Sequence, residues 1–334
     1  MSESMTRGAP LMALQGTRMR HDVGTLSVNS ELPVAVGKDH PVMVNPHIFA
    51  GLLDIGITAI TVHKNALAIT TQTGMEAKVP VIPDPHRVME LRLSEGGSEV
   101  EASLFVEWLN QSVAIGKAIG RHSGVVYTYR SNAFVFNSSV MIAARLSKGW
   151  PVQCTANPKL LANIIAQSAQ DEVKRAICSE TEVLVKTASG TVLRAESAED
   201  QLPQQPIEML ARFKAHTAPP LQVLNAGDLR DAAMQLSLIS EAFGPSVANA
   251  EVHMTADAKG VTVKLLDSLV HFACEGWKLG NLNVPMRSFL TLRAIPVECN
   301  EAQIVASPTP GSQSPLVLRA GNLTFFMAAA AQED

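Results

Sequence analysis

Nine histidines and four cysteines have the widest chemical range in this chain, and their spacing gives them little to do together. No histidines form H-E-x-x-H; His40 and His47 are the nearest two, and the nine read as scattered surface or strand residues. Cys154, Cys178, Cys274 and Cys299 lie far apart without C-x-x-C spacing, so reduced, mostly buried thiols are expected rather than a zinc or redox site. A G-x-S-x-G elbow is absent. The run from Gly116 to Gly124 has the look of a phosphate loop, but it lacks the Walker spacing and follows a helix instead of opening one. The expectation is a protein without catalytic residues, metal or cofactor.

The 334 residues allow two domains, or three small ones, with cores of their own. Charged residues make up 17% and apolar residues 46%, with a mean hydropathy of +0.13, which excludes wholesale disorder. The longest apolar stretches, such as 325–331, fall well short of the roughly 18 residues that cross a bilayer. Met1 to Pro10 lacks the basic start and apolar core of a signal peptide, so a cytoplasmic location is expected. A net charge of −4 argues against coating nucleic acid by bulk attraction, so any polyanion must meet a local face. Aromatics at 4% argue against a stacking platform for single-stranded bases.

A repeat of pattern, not of letters, organises the chain. In residues 150–202 an extended run over 151–155 leads to Asn157-Pro158, an N-cap residue before a proline at the first helical position. Leu160, Leu161, Ile164 and Ile165 recur at helical spacing, and 183–185 and 192–194 read as strands about Ser189-Gly190. The same order of strand, one amphipathic helix and several strands returns at 42–82 with a helix over 46–55, and at 100–144 with a helix over 104–119. It returns again at 221–275 with a helix over 229–243, and at 282–328 with a short helix around 289–295. Residues 134–144 read as one strand. Residues 10–38 read as the back half of a sixth unit, whose first strand and helix are expected to be missing. Pairing successive units gives domains over 1–92, 93–216 and 217–334, with joints at Pro83-Asp84-Pro85, 94–97 and 215–220.

In order and spacing these units resemble the DNA polymerase sliding clamps, specifically the three-domain bacterial beta-subunit type. The stretch from Val152 to Glu208 carries Leu202-Pro203-Gln204 where the family has Phe-Pro-Asp. Pro315-Leu316-Val317 leads to Phe325-Phe326-Met327, with alanines in place of a Met-Pro-Met ending, and Ala9-Pro10-Leu11-Met12 is similar to the Leu-Pro-Ile-Leu that follows the family's first helix. The resemblance covers nearly the whole chain after residue 10, and its departures fit a divergent clamp such as a phage or plasmid carries. It implies an α+β DNA-clamp fold, three similar domains of repeated strand-helix-strands units with helices inside and sheets outside. It also implies a processivity factor, not an enzyme: a homodimeric ring, closed head to tail, that encircles duplex DNA without regard to sequence. Such a ring tethers DNA polymerase by raising its local concentration, and polymerase, clamp loader and repair partners dock through short peptide motifs. The alternative is a clamp-like module or decoy that captures those peptides without encircling DNA.

Sliding requires loose phosphate contacts from the helices. The helix from Leu104 puts Phe105, Leu109, Val113 and Ile119 on one side and Asn110, Gln111, Lys117 and Arg121 on the other. Lys159, Arg230, Arg287 and Arg293 are the corresponding cations of the other helices, each expected to face away from the core. By position in the family, the partner-peptide pocket is expected to include Ser138 and Val140, Pro203 and Ile207 from the second linker, and Phe326 and Ala328 near the C-terminus.

Overall fold

A computed structural model describes residues 12–23, 25–37, 41–84, 89–93, 96–119, 125–158, 161–162, 172–196, 203–214, 219–244, 249–257, 260–274, 276–312 and 314–332. The chain forms two compact units, one of residues 1–105 with 163–200 and one of 106–162 with 201–334.

The first unit is built on an antiparallel sheet of eight strands. In spatial order they are Ile82–Pro83, Val42–Val44, Met12–Val23, Leu26–Val36, Val192–Glu196, Glu182–Thr187, Val173–Cys178 and Ser98–Val100. A sheet of three, Ile57–His63, Ala66–Thr71 and Glu76–Pro80, accompanies it. Helix α1 (Pro46–Ile55) starts where Asn45 accepts a 2.9 Å hydrogen bond from the His47 amide, with proline inside the first turn, and it ends at Gly56 with φ of 83°. A side chain at Gly56 would also meet Gln72, so glycine serves both the left-handed backbone and the space. Phe49 and Leu52 anchor α1 in a cluster with Leu14, Val36, Val44, Leu67, Ile69 and Val79. Arg194, largely buried on the long sheet, bridges the buried carboxylate of Glu182 and the exposed one of Glu196.

The second unit has an eight-stranded sheet of matching design. Its strands are Cys154–Ala156, Val126–Tyr129, Asn132–Phe136, Val140–Arg145, Leu323–Met327, Leu316–Ala320, Glu301–Ala306 and Gln222–Asn225. A five-stranded sheet follows, in the order Ser268–Ala273, Gly260–Leu265, Glu251–Asp257, Leu282–Pro285 and Ala330–Ala331. Helix α2 (Ala102–Ile119) buries Leu104, Phe105, Trp108, Leu109, Ser112 and Ile115. Val113 and Ile119 lie at the margin of that stripe and are only partly buried. Trp108 Nε1 donates to Thr128 Oγ1 at 2.8 Å, and its ring lies 5.2 Å from that of Trp150.

Three elements depart from the sequence reading. The expected strand over 134–144 is a hairpin, because Asn137 Oδ1 accepts from the amides of Ser139 and Val140 and turns the chain. Residues 204–214, expected as the approach to a linker, form helix α3 (Gln204–Lys214). The strand Val173–Cys178 had no counterpart in the reading; an irregularity between Val173 and Arg175 breaks its alternation, and Lys174 and Arg175 are both exposed. The remaining helices fit the repeat. Helix α4 (Ala226–Phe243) is capped by Asn225 and buries Ala226, Leu229, Ala232, Ala233 and Leu236. Helix α5 (Met286–Phe289) passes into a 3-10 turn, Leu290–Ala294. The helix expected after Asn157-Pro158 falls largely outside the described residues. The four cysteines form no disulfide, with Cys154 and Cys178 buried.

Candidate functional site

The long sheet of the second unit carries an apolar face. Register sets it: Tyr127 lies opposite Phe134, Phe134 opposite Ala143, Met141 opposite Phe326 and Val317 opposite Phe326, so all project to one side. Leu210 of α3 is buried in this cluster, and Ile207 and Met209 pack against it. Helix α3 is thus held on the sheet by one stripe, while Gln204, Gln205 and Glu208 face solvent.

Beside α3 the face is left partly open as a cavity of about 650 Å³, within the range of ligand-sized pockets. Phe136, Met141, Met209, Pro315 and Phe326 give it an apolar lining, and the turn Asn137 to Ser139 forms its rim with Gln205 and Ala328. The Ser139 carbonyl accepts from the Ala328 amide at 2.8 Å and from Ser288 Oγ at 2.8 Å, which pins the rim to the end of the last long strand and to α5. A second cavity of about 220 Å³ opens on the same face, lined by Arg145, Arg319, Asn132, Thr324 and Leu210. Phe326 borders both. The pair offers an apolar anchor site next to two guanidinium groups.

Of the six residues expected at a partner pocket, Ser138, Val140, Phe326 and Ala328 line the large cavity. Val140 lies out of phase with Phe326, so Met141 is the side chain that shares the face. Pro203 and Ile207 do not line it. Ile207 turns into the hydrophobic cluster, and Pro206 and Met209 take the expected places because the segment is helical and presents a different stripe. The apolar spacing of 206, 207, 209 and 210 was the available signal for that helix.

The expected DNA-facing cations separate into groups. Lys117 on α2 and Arg287 on α5 are exposed and make no ion pair among the described residues. Arg293 is exposed, but its Nε donates to the Leu290 carbonyl at 2.9 Å and its Nη1 to Ser237 Oγ at 2.7 Å, tying the 3-10 turn to α4. Arg230 does not extend outward as expected. It folds onto the loop at Pro296, donating to that carbonyl at 3.4 Å, and lies 3.7 Å from Asp231. Arg121 and Lys159 lie outside the described residues. Among the described residues no cluster of His, Cys, Asp or Glu could hold a metal ion, and no helix is long and apolar enough to cross a membrane.

No protein-family model matches the sequence, and no curated protein does. Solved structures do match. The DNA polymerase III subunit beta from Pseudomonas aeruginosa superposes with a TM-score of 0.67 at 10% identity, over 99% of this chain and 94% of that one. The Helicobacter pylori beta clamp bound to a DNA ligase peptide gives 0.68 at 12% identity, over 99% and 94%. The pol III beta of Caulobacter crescentus gives 0.68 at 12% identity, over 97% and 91%. At such identities the likeness is one of architecture, and this chain has the α+β fold of the bacterial sliding clamps.

Proposed function

We propose that the protein is a DNA sliding clamp: two copies close head to tail around duplex DNA and tether a polymerase and other replication or repair partners, without catalysis. In this reading the chain contributes three domains, over 1–92, 93–216 and 217–334, to a six-domain ring. The observation that carries it is a regularity of the sheets. The long sheet of the second unit is sewn together where the third strands of two three-strand runs pair, Val140–Arg145 with Leu323–Met327. In the first unit the third strand Val192–Glu196 pairs with Leu26–Val36 in the same way. Two third strands are left as sheet edges, Glu76–Pro80 and Ser268–Ala273. Each sits on a different unit, as a heterologous contact between two copies requires.

Exposed apolar side chains accompany the second of those edges. Leu269 on the strand Ser268–Ala273 is 64% exposed, and α4, which packs on that strand, exposes Leu238 at 68% and Met234 at 52%. Large apolar residues so exposed are what a contact with another chain covers. Lys117 and Arg287 are the cations on offer to phosphates, and the cavity beside α3 is the dock for a short apolar peptide.

The test is assembly with activity. Light scattering is expected to give about 71 kDa, twice the 35.7 kDa chain, and the protein should stimulate a polymerase on primed circular DNA when a loader is present. A persistent monomer that still binds partner peptides would instead favour the non-encircling module.

A further inference from the structure

The first unit carries a cavity at the place equivalent to the apolar one. It lies on the face of the long sheet over the seam between Leu26–Val36 and Val192–Glu196, with Glu90 and Leu91 of the first inter-strand linker at its side. Its volume is about 350 Å³. The repeat has kept the position and changed the chemistry. Leu91, Ile177, Leu184 and Val192 supply an apolar strip, and Arg18, Arg175 and Lys186 surround it with Glu31 and Glu90.

The register puts these groups on one face: Arg18 is opposite Glu31, Asn29 opposite Val192, Val192 opposite Lys186, and Lys186 opposite Arg175. Part of the charge is already used. Glu90 is bridged to Arg92 at 2.6 Å, and Arg175 to Glu99 through two contacts of 3.2 Å. Arg18 and Lys186 make no ion pair among the described residues. Asn29, also in the lining, donates its amide Nδ2 to the Met89 carbonyl, which fixes Oδ1 as an acceptor; Oδ1 is buried and has no hydrogen-bond partner there.

We infer that this cavity is a second docking site, for an acidic peptide segment of a partner protein with an aliphatic residue between carboxylates. The aliphatic side chain covers the Leu184 and Val192 strip, and the carboxylates meet Arg18 and Lys186. The site stands on its own residues and does not depend on the apolar cavity binding anything.

The probe is a fluorescein-labelled pentapeptide of sequence Asp-Glu-Leu-Asp-Glu, followed by anisotropy on the full chain, with Lys-Lys-Leu-Lys-Lys as control. Saturable binding is expected for the acidic peptide alone, weakened about tenfold by the pair Arg18→Glu and Lys186→Glu and by high salt. Both residues are exposed, so the variant should fold, which circular dichroism checks. Ala328→Trp, which fills the apolar cavity, should leave this binding unchanged. Absence of saturable binding, indifference to the charge reversal, or loss with Ala328→Trp would each overturn the inference.

Discussion

Ser288 Oγ donates to the Ser139 carbonyl at 2.8 Å, joining α5 to the rim of the apolar cavity across 149 residues of sequence. Ser288 is fully buried, so water cannot replace its hydroxyl. Ser288→Ala is expected to cost about 1 kcal/mol and to loosen the rim, lowering affinity for a docked peptide several-fold. Thermal unfolding and peptide anisotropy read the two effects separately. Unchanged affinity in a destabilised variant would detach this bond from docking.

Phe326 borders both cavities of the second unit and is 3% exposed. Phe326→Ala should abolish binding of a labelled peptide taken from a cognate polymerase, but a buried Phe→Ala change also costs about 3 to 5 kcal/mol. Ala328→Trp is therefore the cleaner test, since Ala328 is exposed at the rim and a larger side chain there obstructs the cavity while removing nothing from the core. At least tenfold weaker peptide binding by a dimer that survives is the expected outcome.

Lys117→Glu with Arg287→Glu should shorten retention on closed circular DNA and flatten the salt dependence of binding, by about one unit of slope for each phosphate no longer neutralised. Arg230→Ala should leave retention as it is and lower stability instead, because Arg230 is occupied at Pro296 and Asp231. Equal loss of retention in both variants would argue that helix placement, not phosphate contact, underlies the effect.

Leu269→Asp puts a charge on the exposed edge strand next to α4. The expected result is a folded monomer of 35.7 kDa in light scattering and loss of polymerase stimulation, with peptide binding retained. A dimer that tolerates this charge would move the contact elsewhere.

His21 gives a pH dependence. Burial, with the His47 imidazole adding repulsion, holds it below the ordinary histidine value of 6.5, and its Nε2 has no hydrogen-bond partner among the described residues. The folded state therefore takes up this proton less readily than the unfolded chain. Stability should be steady above that value and decline as the pH falls from it through the lower folded pKa. Urea midpoints at about pH 7.5 and 5.5 should converge in His21→Leu, apart from what other groups contribute.

How far the sequence reached is visible element by element. Helix α1 was expected over 46–55, as found, whereas the start of α4 at Ala226, three residues before the expected 229, was missed because the cap at Asn225, a side chain meeting an amide three residues on, went unread. Strands such as Ala66–Thr71 were legible from alternation. Helix α3 was missed although 206, 207, 209 and 210 carry a helical stripe, because the stretch was read as the approach to a linker, and the hairpin at Asn137 was missed because one polar side chain, not a glycine, turns the chain.

Periodicity and capping act over a few residues, so most of the recurring order of strand, helix and strands was legible in the amino-acid sequence by itself, and the resemblance of that order to the sliding clamps supplied the fold. Only the tertiary structure decided which residues form a site. Met141 shares a face with Phe326 through strand register, Ile207 turns inward while Met209 lines the cavity, and Arg230 bends away to Pro296. Such pairings join residues far apart in the chain, and their free energy depends on geometry that no local pattern encodes.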